Sequence, residues 1–186
     1  MPNRENQMHH YSNLPIEEQN RLQALRKLRI LDSPYESLFD TITRSISQIC
    51  MTPIALISFV DEDRQWFKSI IGIDGVTQTP RELGFCAATI LSDEILEVND
   101  VTVDERFKDN PLVTGNPNVR FYAGAPITLP LGERIGSLCV IDTKPNQLNE
   151  YQKAALEGFA KVISQALLIR DVNSRMTVLI PNKQEA

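Results

Sequence analysis

Apolar positions recur along this chain with two different periods, and the changes of period mark its elements. Leu22, Leu25 and Leu28 follow Pro15 at helical spacing, which predicts a first helix over about 16–31. Ser33, Pro34 and Glu36 then read as an N-cap, a first-turn proline and the acid of a capping box. The helix they predict carries Leu38, Phe39, Ile42, Ile46, Ile49 and Cys50 on one face. After Pro53 the period falls to that of strands, with Ile54 to Val60 and Gln65 to Ile71 joined by a polar tetrad as a hairpin. Apolar residues fill both parities of the first strand, so it is expected to be central and covered on both faces.

A short helix over 83–91 and a short strand over 95–98 come next. A polar stretch over 100–118 follows, broken by Pro111, Gly115 and Pro117, and a loop of that length is a candidate functional segment. Strands over 119–128 and 134–141 form a second hairpin. The last helix starts at Asn149, three residues before Gln152, and extends to about Ser174. Its stripe Ala155, Phe159, Val162, Ala166 and Ile169 alternates steps of four and three like a helix-bundle seam, which predicts a homodimer through the terminal helices. Leu156, Ile163 and Leu167 lie beside that stripe. Hairpins instead of βαβ units make the fold α+β, an antiparallel sheet with helices against it.

Composition narrows the chemistry. With 186 residues the chain fits one domain, read as 16–174 between a flexible N-terminal tail at 1–15 and a C-terminal tail at 175–186. A net charge of −5 argues against nucleic acid, whose phosphates need clustered Lys and Arg. Neither a signal peptide nor a membrane span is readable, and the three widely spaced cysteines, Cys50, Cys86 and Cys139, fit a reducing cytoplasm. Both histidines, His9 and His10, lie in the N-terminal tail, so imidazole-dependent triads, dyads and metal sites are not expected in the domain. No glycine-rich phosphate loop is present. The carboxylates of Asp61-Glu62-Asp63 and Asp104-Glu105 read as turn residues.

Four blocks then carry a family resemblance: IALISFVDEDRQWFKSIIG at 54–72, RELGFCAATIL at 81–91, NDVTVDERFKDNPLVTGNPNVRFYAGAPI at 99–127 and IGSLCVID at 135–142. In this order they resemble the GAF domain, and within it the input modules of bacterial sensor kinases and diguanylate cyclases. The resemblance implies five or six antiparallel strands, helices on one face, and on the other a small-molecule pocket roofed by the short helix and long loop. It implies a sensor without catalysis and names no cofactor. The sequence departs from relatives that carry a histidine near the short-helix cysteine, since Ala88 stands in that place. The NKxnFxxxDE signature of cyclic-nucleotide-binding members and the Cys-His pair of bilin-binding members are missing.

Candidate ligand-binding residues are Trp66, Phe85, Cys86, Asp104, Arg106, Arg120, Tyr122 and Cys139. Each also has a packing role: aromatics in the sheet, charges in loop salt bridges, thiols in the core. Cys86 and Cys139 are expected to be structural thiols and not a disulfide or a catalytic pair. The expected function is a cytoplasmic sensory module that binds an unidentified small ligand and signals through its terminal helices, a dimer interface or a separate output protein. Two alternatives stand beside it. One is a free methionine sulfoxide reductase, whose cysteines lie closer in sequence than the 36 and 53 residues separating these; the other is a ligand-free dimerisation scaffold.

Overall fold

The computed structural model describes residues 15–179, with side chains through 172. The chain runs α1 (Ile16–Lys27), α2 (Ser37–Cys50), β1 (Ile54–Val60), β2 (Arg64–Ile71), β3 (Gln78–Pro80), a 3-10 turn (Arg81–Leu83), α3 (Phe85–Thr89), β4 (Leu96–Val98), α4 (Pro111–Thr114), β5 (Phe121–Thr128), β6 (Arg134–Asp142) and α5 (Glu150–Leu179). Six strands form one sheet in the order β3-β2-β1-β6-β5-β4 with antiparallel neighbours. The α+β class, the two hairpins and the central place of β1 agree with the sequence pattern. The sequence pattern does not predict β3, because its three residues carry no apolar run and are held by ladder pairing to Arg64, Gln65 and Trp66. The long loop contains the single turn α4, started by Asn110, whose side chain accepts from the Leu112 amide.

Every residue of β1 is buried, and alternate side chains serve two separate cores. Ala55, Ile57 and Phe59 meet the layer of α1, α2 and α5, with Leu25, Ile46, Ile163 and Leu167. Leu56 and Val60 join Phe85, Val101, Val113, Tyr122 and Cys139 under the loops. A bulge in β2 sets which side chains reach which face: Ile57 pairs with Ser69 and Ser58 with Phe67, leaving Lys68 as the extra residue.

Helix ends show where tertiary contacts override local signals. At Asn149 the reciprocal box forms, with the Asn149 amide donating to Gln152 Oε1 and the Gln152 amide to Asn149 Oδ1. At Ser33 the expected box does not form. The helix instead begins at Ser37, with Glu36 at the N-cap making no side-chain cap bond. Lys68 takes those groups, its Nζ donating to Ser33 Oγ (2.8 Å), the Pro34 carbonyl (2.5 Å) and Glu36 Oε1 (2.8 Å). An unpaired buried ammonium costs more than a cap worth about 1 kcal/mol, so the charge claims the acceptors. The first helix ends at Lys27, short of Leu31, because Arg29 and Asp32 adopt positive φ. The last helix runs past Ser174 to Leu179, through the start of the segment read as a tail. All of the predicted 1–15 tail except Pro15, and the residues beyond 179, lie outside the described residues.

Candidate functional site

Opposite the helical layer, α3 and the loop after β4 roof the sheet and leave a cavity of about 440 Å3. Leu56, Phe67, Ile70 and Ile141 wall it from the sheet, Phe85 and Cys86 from α3, and Leu112, Asn116, Pro117 and Val119 from the loop. Its polar groups are few. Gln65 is almost fully buried, donates Nε2 to Thr79 Oγ1 at 3.1 Å, and leaves its carboxamide oxygen without a partner. Gly84 makes that position possible, since a Cβ there would stand 1.3 Å from Gln65 Nε2.

Phe85 anchors the roof. Its ring stacks on Tyr122 (centroids 5.0 Å apart, planes at 19°) and tilts against Phe107 at 4.6 Å. Tyr122 Oη lies 2.6 Å from Thr89 Oγ1 and 3.7 Å from Cys86 Sγ. Gly124, two residues along β5, leaves room for this hydroxyl, because a Cβ would come within 2.3 Å of it. Cys86 Sγ and Cys139 Sγ lie 3.9 Å apart, both as free thiols. The adjacent Cys139 thiol lowers the Cys86 pKa, burial opposes the shift, and the hydroxyls of Ser137, Tyr122 and Ser58 reinforce it. Burial raises Cys139 and Tyr122. Cys50, on the helical side, is pushed by burial up to about 11.

Phe85, Cys86 and Tyr122 therefore line the cavity, and Cys139 lies directly behind Cys86. The other four sequence candidates do not join them. Trp66 points to the helical face, stacked on Phe59 at 6.4 Å with Lys68 Nζ 6.0 Å above its ring, because it pairs with Phe59 across the hairpin. Asp104 and Arg106 satisfy each other at 2.6 and 2.9 Å, and Asp104 also accepts from the Arg106 amide, closing a turn of the loop. Arg120 donates to the carbonyls of Val113 and Val119 and so fastens the loop. Sequence reading missed Gln65, Phe67 and Gly84. Strand parity carried the signal: once Trp66 follows Phe59 inward, Gln65 and Phe67 face outward.

Among the described residues no three His, Cys, Asp or Glu side chains are grouped to hold a metal, and no helix is long and apolar enough to cross a membrane. Residues 34–167 match the GAF domain family, and the chain belongs to it. It is 45% identical over 150 residues to a cyclic di-GMP phosphodiesterase of Pseudomonas aeruginosa, an alignment covering 80% of this chain and 25% of that protein. The chain thus spans about a quarter of that relative's length. Solved structures share the fold at low identity. The GAF domain of an Acinetobacter phosphoenolpyruvate-protein phosphotransferase superposes with a TM-score of 0.61 at 16% identity, covering 83% of this chain and 95% of that one. The PixJ GAF domain of Thermosynechococcus elongatus in its blue-light absorbing form gives 0.61 at 13%, covering 93% and 99%. A type II free methionine-R-sulfoxide reductase from Thermoplasma acidophilum gives 0.59 at 14%, covering 70% and 90%.

Proposed function

We propose that this GAF domain is a non-catalytic regulatory module that binds a small, largely apolar molecule in the cavity beneath α3. The observation that carries this reading is the Gln65 carboxamide oxygen, buried at the cavity wall without a donor. Buried polar atoms are nearly always paired, so this acceptor calls for an N–H or O–H group on the occupant. The apolar walls supply affinity and the single acceptor supplies orientation. Cavity occupancy reaches the rest of the molecule through β1 and β6, whose other faces pack on α1, α2 and α5. The phosphodiesterase relative supports an output in cyclic-dinucleotide turnover. Three free thiols support a cytoplasmic location.

A second copy of the chain is the proposed partner for α5. Leu156, Ala160, Ile163 and Leu167 pack on the sheet, whereas Val162, Ile169 and Val172 remain largely exposed. The seam read from sequence is thus split: Ala155, Phe159 and Ala166 are half-buried, and Val162 and Ile169 face outward. The scaffold reading shares this interface but leaves Gln65 unexplained. The reductase reading rests on a neighbour whose 14% identity carries the fold alone.

Native mass spectrometry of protein purified without denaturation tests the ligand reading. Wild type is expected to retain an adduct that Gln65→Met loses; an adduct of equal occupancy in both would overturn it. Sedimentation at tens of micromolar is expected to give a dimer that Ile169→Glu dissociates, and a wild-type monomer there would reject the partner assignment. NADPH consumption coupled to thioredoxin and free methionine sulfoxide is expected to stay at background.

A further inference from the structure

Two free thiols meet at the wall of the cavity. Cys86 and Cys139 are 53 residues apart in the chain, yet α3 lies across β6 so that their sulfurs are 3.9 Å apart. Cys86 lines the cavity and is 5% exposed, whereas Cys139 is fully buried behind it. Cys86 thus borders the cavity, and Cys139 does not. Hydroxyl groups surround the pair. Tyr122 Oη approaches Cys86 Sγ at 3.7 Å, and the cross-strand neighbours Ser58 and Ser137 bury hydroxyls that make no hydrogen bond.

We infer that Cys86 and Cys139 form a hydroperoxide-sensitive dithiol that closes to an intramolecular disulfide when a small hydroperoxide enters the cavity. The inference does not depend on the identity of any ligand. Thiolate, not thiol, is the nucleophile, and these hydroxyls can donate to it without an imidazole or a cation. The lowered pKa of Cys86 agrees with that arrangement. Cys50 is the internal contrast: buried in the helical core and pushed up to about 11, it has no thiol neighbour and does not line the cavity.

The chemistry balances with hydrogen peroxide as oxidant. Cys86 loses its proton and its sulfur attacks one peroxide oxygen; the O–O bond breaks, Cys86 becomes a sulfenic acid, and the departing hydroxide takes up the proton as water. Cys139 sulfur then attacks Cys86 sulfur. The S–S bond forms, the S–O bond breaks, and hydroxide leaves with the Cys139 proton as a second water. Two thiols have lost two electrons and the peroxide has gained them. A bonded pair stands about 2.05 Å apart, so the side chains close by about 2 Å from their present separation. The new bond ties the cavity roof to β6, next to the central strand β1, and so puts cavity shape under redox control.

Reduced full-length protein, freed of reductant, is titrated with hydrogen peroxide and followed by intact mass and non-reducing peptide mapping. The expected result is the loss of two hydrogens, a Cys86–Cys139 cross-linked peptide, and reversal by a thiol reductant. Cys86 is expected to react at least about tenfold faster than Cys50, in line with its thiolate character. Cys139→Ser is expected to stop at a sulfenic acid trapped by dimedone, and Cys86→Ser to leave Cys139 unreacted. If either variant loses its fold by circular dichroism, the wild-type map alone decides. Two free thiols at peroxide concentrations that oxidise Cys50, or a disulfide between chains, would overturn the inference. So would closure by free methionine sulfoxide as fast as by hydrogen peroxide, which would assign the pair to sulfoxide reduction.

Discussion

On the helical face of the sheet, Ile57, Leu138 and Val140 interlock with Ile46, Leu156, Ile163 and Leu167, every one of them fully buried. On the other face β1, β5 and β6 turn Ser58, Ser137, Cys139 and Tyr122 toward a roof of loops. Lys68, a buried charged group of the helical face, is saturated by three acceptors. Ser69 apart, the unsatisfied polar atoms assigned to a sheet face lie on the other one: Ser58, Ser137 and the Gln65 carboxamide oxygen. An unsatisfied buried polar group costs about 1–3 kcal/mol. The helical face therefore supplies stability, and the roofed face sacrifices some of it for a cavity with reactive and hydrogen-bonding groups.

The largest effect separating the two faces is a truncation on each. Ile57→Ala or Leu138→Ala is expected to lower unfolding free energy by about 2–5 kcal/mol, the range for large-to-small changes in a close-packed core. Ile70→Ala, at the partly open cavity wall, is expected to cost about 1 kcal/mol, because its side chain gives up less burial. Urea unfolding measures both, and equal losses would mean that the roofed face is packed as tightly as the helical one.

Next in size comes the charge network. Lys68→Met is expected to cost about 1–3 kcal/mol near neutral pH by stripping hydrogen bonds from Ser33, Pro34 and Glu36. It also predicts a change in acid sensitivity. Burial raises the Glu36 carboxyl, but the hydrogen bond and charge of Lys68, aided by Arg170, outweigh it and hold the group below its ordinary 4.5. A carboxyl whose folded pKa is depressed stabilises fully above its unfolded value and loses that stabilisation as pH falls through the folded one. Wild type is therefore expected to lose more stability than the variant between pH 7 and about pH 3.5. Parallel urea midpoints would place the acid sensitivity elsewhere, for instance at Glu18, whose carboxyl is held low by Arg21 and Arg81 against burial.

The helical face was the more legible of the two in the sequence, because its stripes are long and periodic. Ile42 and Ile46 announced α2, and Asn149 with Gln152 announced the start of α5. Its failures lay at the margins: α1 stops at Lys27, Leu38 and Ile49 of the α2 stripe are exposed, and the capping box at Ser33 does not form, since nothing local reveals that Lys68 arrives from β2. The roofed face was legible as a region and blurred in detail. Phe85, Cys86 and Tyr122 do line the cavity, but Asp104, Arg106 and Arg120 were grouped with them only because charged loop residues resemble ligand contacts. Their partners turned out to be one another and the loop backbone. Trp66 was lost to parity, which the Phe59–Trp66 pairing fixes. Cys86 and Cys139 were placed at one site, but the direct contact of their sulfurs across 53 residues was not predicted, as contacts between a short helix and a distant strand leave no periodic trace.

A smaller effect tests how closely the roof fits the sheet. Gly84→Ala introduces a Cβ 1.3 Å from the Gln65 amide nitrogen, so either Gln65 or α3 must move. Gly84 has a φ of −100°, which any residue adopts, leaving overpacking as the cost, at about 1–2 kcal/mol. Thiol labelling is the sharper readout. Displacement of α3 is expected to expose Cys86 and speed its modification, while Cys50 labelling is unchanged.

The smallest expected change in stability belongs to Gln65→Met. The substitution removes the Nε2 hydrogen bond to Thr79, a net interaction of about 1 kcal/mol, and leaves a threonine hydroxyl that is partly exposed and can turn to water. It also removes the unsatisfied carboxamide oxygen, relieving a penalty of similar size. With side-chain volume nearly conserved, the two terms should cancel to within about 0.5 kcal/mol. Unfolding of ligand-free protein, stripped by denaturation and refolding, measures that balance directly. A loss of 2 kcal/mol or more would show that the oxygen is already satisfied within the folded chain, and the roofed face would then resemble the helical face in its polar groups. If stripped protein is indifferent to the substitution but protein purified without denaturation is not, the difference reports the free energy that a bound molecule contributes through Gln65.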